Sequence, residues 1–315
     1  MASGPFGALV VFRRGLELGI IGIALRLPLS LPRVRERYGM DGLTKEILTA
    51  LKRRTGIDFE RYRRASVEHG IALRMAALQC ASRVAYLTQL GYAPDECDEL
   101  VRALSINVTS FFRNPIVFEI LGEKILPGIL ERKRQSGNQE FRAWCAGCAT
   151  GEEPYSLAMV LREVIERCGA DFTTHIFATD INQDALLRAE AGVYAEEQLG
   201  TVRFALLKRF LPRKGRRHMV GPEIRSMVSF SHDDLTSSLL TAPTESVFGD
   251  FDVVLCRNVL IYLQRSLQIE VCERIARSLR AGGYLVLGEA EKLPSELRGG
   301  FRAVDHWSPV YQKKA

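Results

Sequence analysis

The sequence is poor in several things, and each shortage excludes a class of function. Its most apolar stretch, Leu16–Leu31, is interrupted by Glu17, Arg26 and Pro28, and the unbroken run Leu18–Leu25 is far short of a membrane span, which needs roughly 20 residues. Stable membrane insertion is therefore not expected. Histidines are few, five in all (69, 175, 218, 232 and 306), and none falls in a metal-ligand spacing such as HExxH. No metal site is expected. The seven cysteines are odd in number and scattered, in a chain too large to need disulfide staples. A reducing cytoplasm is the simpler setting. Cys145-Ala-Gly-Cys148 has no second pair, so it reads as a tight turn of small residues rather than a zinc or redox site. Positive charge is also scarce where it would matter. Of the net +6, residues 1–40 carry +4, six arginines against two acids, and the remainder is close to neutral. That is too weak a basic footprint for a nucleic-acid partner.

What is present is ordinary globular composition, 47% apolar and 25% charged over 315 residues. That length predicts about two domains. Residues 1–40 form an extension of uncertain status, cut off by Pro28 and Pro32 before any domain pattern begins. A surface helix, a membrane-surface anchor and upstream sequence outside the working protein all fit it; the last is favoured.

Residues 41–110 show helical spacing throughout and no strand pattern, which predicts a small helical bundle. Asp41 caps a helix carrying Leu43, Ile47, Leu48 and Leu51, and Gly56 closes it. Further helical stretches follow at Tyr62–Glu68, Ile71–Ala81 and Ser82–Leu90, and Pro94 opens another. Residues 45–83 hold nine Lys/Arg against four acids. That face either docks an acidic partner or is simply solvated.

From about residue 140 the pattern changes to strands alternating with helices, which implies a mostly parallel sheet. Phe141–Trp144 reads as a strand running into the turn Cys145–Gly151. Glu152-Glu153-Pro154 then opens a helix lined by Leu157, Leu161, Val164, Ile165 and Cys168 and ended by Gly169. This resembles the opening of a nucleotide-binding unit, but the glycines do not fit GxGxxG. Two carboxylates also stand where a pyrophosphate would need N–H groups and no negative charge. Acids there suit a cofactor with a cationic end, such as the ammonium and sulfonium of S-adenosylmethionine (SAM). A second strand, His175–Thr179, ends at Asp180, which fits either a ribose acceptor or the cap of a helix starting near Asn182. A third, Phe251–Cys256, ends in Arg257-Asn258 with Tyr262 nearby. Ligands in open α/β sheets bind beyond such strand ends. A helix over 266–280 and a strand Tyr284–Gly288 complete the pattern.

Three stretches together resemble the chemotaxis receptor methyltransferase (CheR) family: Asn107-Val-Thr-Ser-Phe-Phe-Arg-Asn-Pro115, Cys148-Ala-Thr-Gly-Glu-Glu-Pro-Tyr-Ser156 and Cys256-Arg-Asn-Val-Leu-Ile-Tyr262. Ala178–Ile181, Gly192–Tyr194 and Leu279–Gly283 match in support, and the likeness runs from about Gly56 to the C-terminus. It implies a helical N-terminal domain over 41–110 and a Rossmann-like SAM-dependent catalytic domain over 111–315. A small inserted β-subdomain is expected near 215–230. The implied activity is transfer of a methyl group from SAM to glutamate side chains on the cytoplasmic helices of chemoreceptors, giving glutamyl methyl esters.

The resemblance also implies site residues. Asn107, Thr109 and Arg113 reach the cofactor from the linker, Glu153 holds its amino end, and Asp180 holds its ribose. Asp234, Leu235, Arg257 and Asn258 flank the adenosine, and Tyr262 and Arg113 adjoin the transferring methyl. Asp234 departs from the family's usual Asn. Val67–Ile71 replaces a stretch usually richer in arginine, which weakens the expectation that the helical module docks an acidic receptor surface; the hairpin after Gly215 is short, which argues against binding of a receptor tether peptide. Asn114-Pro115 reads as the cap and start of a helix that holds Arg113 in place. Phe111 and Phe112 read as core. A glutamate with a pKa of about 4.3 is already ionised at neutral pH, so no general base is needed. A non-catalytic SAM-binding signalling module, or a methyltransferase of another protein, remains the alternative.

Overall fold

The computed structural model describes residues 41–237, 242–243, 245–246 and 249–314. The expectations for residues 1–40 lie outside the described residues.

Four helices come first: α1 (Gly42–Thr55), α2 (Arg64–Ala77), α3 (Arg83–Tyr92) and α4 (Pro94–Leu104). Asp41 caps α1 by accepting the Thr44 N–H at 2.7 Å, and Ser82 caps α3. Their buried faces form one core, from Ile47, Leu48 and Leu51 to Leu100 and Leu104. Where the sequence suggested two helical stretches at 62–81, the structure has the single helix α2. Its Gly70 lies at a close crossing: a Cβ there would stand 2.7 Å from the Leu104 side chain. The glycine marks contact, not a break.

Residues 115–135 form α5 (Pro115–Ile120), one π-helical turn (Leu121–Ile125) and α6 (Leu126–Gln135). The sheet then begins with β1 (Glu140–Ala146), α7 (Glu152–Cys168), β2 (Thr173–Asp180) and α8 (Gln183–Ala191). An insertion follows: β3 (Val193–Ala195), α9 (Phe204–Phe210), β4 (Arg213–Lys214) and β5 (Arg217–Met219). Next come α10 (Pro222–Arg225), β6 (Val228–His232), β7 (Phe251–Cys256), α11 (Arg265–Ser278) and β8 (Leu279–Leu287), and β9 (Phe301–Ala303) and β10 (Val310–Lys313) close the chain.

The main sheet runs β6-β2-β1-β7-β8-β10-β9. β6 to β8 are mutually parallel, while β10 is antiparallel to both β8 and β9. β7 is buried along its whole length, as a strand covered on both faces must be. On β1, Phe141, Ala143 and Cys145 belong to the core with α7, while Trp144 and Ala146 belong to the core with α11. This is the Rossmann-like sheet anticipated above.

The small β-subdomain sits elsewhere than expected. Its sheet, ordered β3-β5-β4, spans 193–219. The run Ile224–Phe230, whose alternation suggested it, instead divides between α10 and β6, an edge strand of the main sheet paired with β2 from Ile176↔Val228 to Asp180↔His232. Alternation marks a half-buried strand without saying which sheet receives it.

Candidate cofactor and methyl-transfer site

The carboxyl ends of β1, β2, β6 and β7 open on one cavity, closed on another side by the strap from Leu104 to Arg113. All ten residues singled out in the sequence line it: Asn107, Thr109, Arg113, Glu153, Asp180, Asp234, Leu235, Arg257, Asn258 and Tyr262.

The turn after β1 is drawn tight by its own backbone. The N–H groups of Gly147 and Cys148 donate to Thr179 O at 2.8 and 2.9 Å. The Ala149 N–H donates to Asp180 Oδ2 at 2.8 Å. These donors are engaged within the protein, so the turn is no phosphate cradle. Gly147 has φ +76°, and a Cβ there would lie 2.5 Å from Val259 Cγ2, so only glycine fits. Cys145 and Cys148 are buried beneath this turn, and burial pushes both thiols well up, so neither is a ready thiolate. Asp180 accepts the Asn182 N–H as well, at 2.9 Å. Asn182, not Asp180, caps α8 through Ala185. Burial raises the pKa of Asp180 against these N–H groups, which lower it.

Glu153 lies in the first turn of α7. Arg257 Nη1 is 3.0 Å from its Oε2, while Oε1 receives no protein donor among the described residues. Burial raises the pKa of Glu153, opposed by the charge of Arg257. The Arg257 guanidinium is itself fully enclosed; it also donates to Arg113 O at 2.7 Å and lies 5.5 Å from the Phe118 ring centre. The Arg257 side chain thus joins α7, the strap and β7, and fixes the residues around it. Arg113 donates to Val108 O at 2.8 Å, closing the strap on itself. Asn114 departs from the expected cap. It takes φ +58° and donates to Glu289 Oε2 at 2.9 Å, with no side-chain capping bond, although Pro115 does start α5. Phe111 and Phe112 are core, as read from sequence.

Asp234 Oδ1 accepts the N–H and hydroxyl of Thr236 at 2.8 and 2.6 Å, an Asx turn that presents Leu235 to the cavity. Behind it, the buried Asp233 takes both oxygens to Arg274 Nη2, at 3.0 and 2.9 Å. Removing one partner of such a pair typically costs about 3–5 kcal/mol. Four of the six described non-glycine residues with positive φ, Phe112, Asn114, Ala149 and Asn258, cluster here. Strain of this kind gathers where a structure over-determines its backbone.

Sequence reasoning missed three contributors. Glu291, 5% exposed, accepts the N–H groups of Asn258, Gly288 and Ile261 and so holds the β7 loop. Arg274 anchors the β6 loop. Tyr62 enters the cavity wall from the helical module. No spacing pattern marks them, because their partners are distant in sequence.

A SAM molecule fits this chemistry. The carboxylates of Asp180, Asp234 and Glu153 welcome a cation and ribose hydroxyls, and no group of three or more His, Cys, Asp or Glu that could hold a metal occurs among the described residues. No described helix is long and apolar enough to cross a membrane.

Comparison with known proteins agrees. The model of the CheR methyltransferase SAM-binding domain matches residues 107–307, and that of the CheR methyltransferase all-alpha domain matches residues 44–105. An uncharacterised 104.1 kDa protein of Rhodobacter capsulatus is 35% identical over 237 residues, 75% of this chain and 24% of that protein, so this chain spans about a quarter of it. Chemotaxis protein methyltransferase 2 of Pseudomonas aeruginosa is 32% identical over 253 residues, 78% of this chain and 85% of that one. The chemotaxis protein methyltransferase of Borreliella burgdorferi is 32% identical over 217 residues, covering 69% and 73%. With a helical module ahead of a SAM-binding sheet, each matched by its own family model, the chain belongs to the CheR methyltransferase family.

Proposed function

We propose that this protein transfers the methyl group of SAM to glutamate carboxylates on the cytoplasmic helices of chemoreceptors, working in the cytoplasm. One observation carries the reading: residues suited to a cationic nucleoside and residues suited to a carboxylate share a single cavity. The names of the chemotaxis methyltransferase relatives support the receptor as substrate.

SAM supplies an electrophilic methyl on a sulfonium. Glu153 Oε1 takes its ammonium, Asp180 its ribose, and Asp234, Leu235 and Asn258 the adenosine, with Asn107 and Thr109 closing from the strap. The acceptor glutamate arrives ionised, so no proton has to be removed. Arg113 aligns that carboxylate by paired hydrogen bonds. Tyr262 adjoins the methyl; burial raises its pKa, with the charge of Arg113 opposing, so it remains a neutral phenol that can donate but not abstract. Catalysis then rests on orientation and exclusion of water. Orientation alone reaches ~7–11 kcal/mol in model reactions.

Incubating the full chain with methyl-labelled SAM and receptor cytoplasmic fragments tests this. Base-labile label on the receptor is expected. SAM binding with no transfer to any protein would identify a non-catalytic module instead, and transfer to another protein only would remove the receptor from the reading.

A further inference from the structure

Tyr62 belongs to the helical module, yet it lines the cavity together with Asp180, Asp234 and Leu235. It is half-buried and packs against two cores at once, that of the module and that of the α11 side of the sheet. Its ring leans on Phe59 at a centroid distance of 4.7 Å.

The backbone around it is hooked to the loop that carries Tyr262. Tyr62 and Leu263 form an antiparallel bridge. The Arg63 N–H donates to Tyr262 O at 2.7 Å, and the Gln264 N–H to Arg61 O at 2.9 Å. Arg61 also pairs both ways with Glu270 on α11, at 2.6 and 2.7 Å. The ring is thus held by a fixed element, as a binding residue should be.

Its hydroxyl has no protein hydrogen-bond partner among the described residues. Burial and the charges of Asp234 and Asp180 keep it a protonated phenol. An aromatic face and the apolar Leu235 together suit a flat heteroaromatic base.

We propose that Tyr62 is a cofactor-binding residue contributed by the helical module, its ring stacking on the purine. This rests on the reading of the cavity as a SAM site. It makes the module part of the cofactor pocket.

The test uses the full chain as wild type, Tyr62→Phe and Tyr62→Ala. S-Adenosylhomocysteine is titrated by calorimetry, and methylation of a receptor fragment gives cofactor KM and kcat. Tyr62→Ala is expected to raise Kd and cofactor KM about tenfold, the scale of a base–aromatic stack. Tyr62→Phe, which keeps the ring and loses only the hydroxyl, should stay within about threefold. At saturating cofactor kcat should recover in both variants. A residue that merely holds the module in place would, through the Arg63–Tyr262 hydrogen bond, lower kcat when removed. Unchanged Kd in Tyr62→Ala, or kcat that stays depressed at saturation, overturns the proposal. Failure of the wild type to bind S-adenosylhomocysteine would instead overturn the functional reading beneath it.

Discussion

Glu153 combines burial, which raises its pKa above the ordinary 4.5, with an arginine that opposes the rise. A cationic ligand needs its ionised form. Cofactor affinity should therefore be complete above the raised pKa and fall as pH drops through it, before an ordinary glutamate would protonate. In the ligand-free protein the sign reverses for stability. A carboxylate with a raised folded-state pKa contributes stability that is present below its unfolded pKa and lost as pH rises through the folded one. Calorimetric titration with S-adenosylhomocysteine from neutral to acid pH should show affinity declining above the normal carboxylate range. A profile flat down to that range would remove the ammonium contact. Arg113 permits a second prediction at this scale. Its backbone carbonyl is held by Arg257 and its guanidinium by Val108 O, so it is placed before any acceptor arrives. Arg113→Ala should lower kcat on the order of 10²-fold, the usual penalty for small misplacement, and cofactor affinity much less. Recovery of turnover at saturating cofactor would reduce it to a binding residue.

At the scale of elements, the turn between β1 and α7 is the most constrained. Gly147→Ala forces a side chain into positive φ and against Val259, which also belongs to the site loop. The two effects together should cost on the order of 2 kcal/mol, and displacing Val259 should weaken cofactor binding as well. Urea denaturation and calorimetry check both; an unaltered denaturation midpoint would mean the turn is looser than described. Strand and helix positions here were legible because they rest on local signals. Asp41 and Ser82 cap where their residue type suggests, Pro94 and Pro115 start helices, and β7 matches its apolar run residue for residue. Local signals misled where a partner changed their meaning. The gap between the stretches Tyr62–Glu68 and Ile71–Ala81 looked like a helix break, but Gly70 within it is where α4 crosses α2, and Asn114 looked like a cap but reaches Glu289 instead.

For the molecule as a whole, the helical module is held to the sheet more by shared packing at Tyr62 and backbone bridging than by charge. The Arg61–Glu270 pair is half-exposed, 39% and 51%, and such pairs contribute only about 0–1 kcal/mol. Deleting residues 1–40 should leave turnover and cofactor affinity unchanged, because the matched family domains begin at residue 44. Loss of folding or activity in the truncated protein would show that the segment is structural. The sequence by itself determined the fold class and the order of helical module and sheet, since strand ends and caps are written in neighbouring positions, and its long motifs, through their likeness to the family, named ten of the residues that line the cavity. Tertiary structure alone decided where the small sheet forms and that Arg257 braces Glu153. It likewise brought in Tyr62, Arg274 and Glu291 to complete the site. Each of those depends on a contact between residues far apart in the chain, whose pairing is settled only when the elements pack.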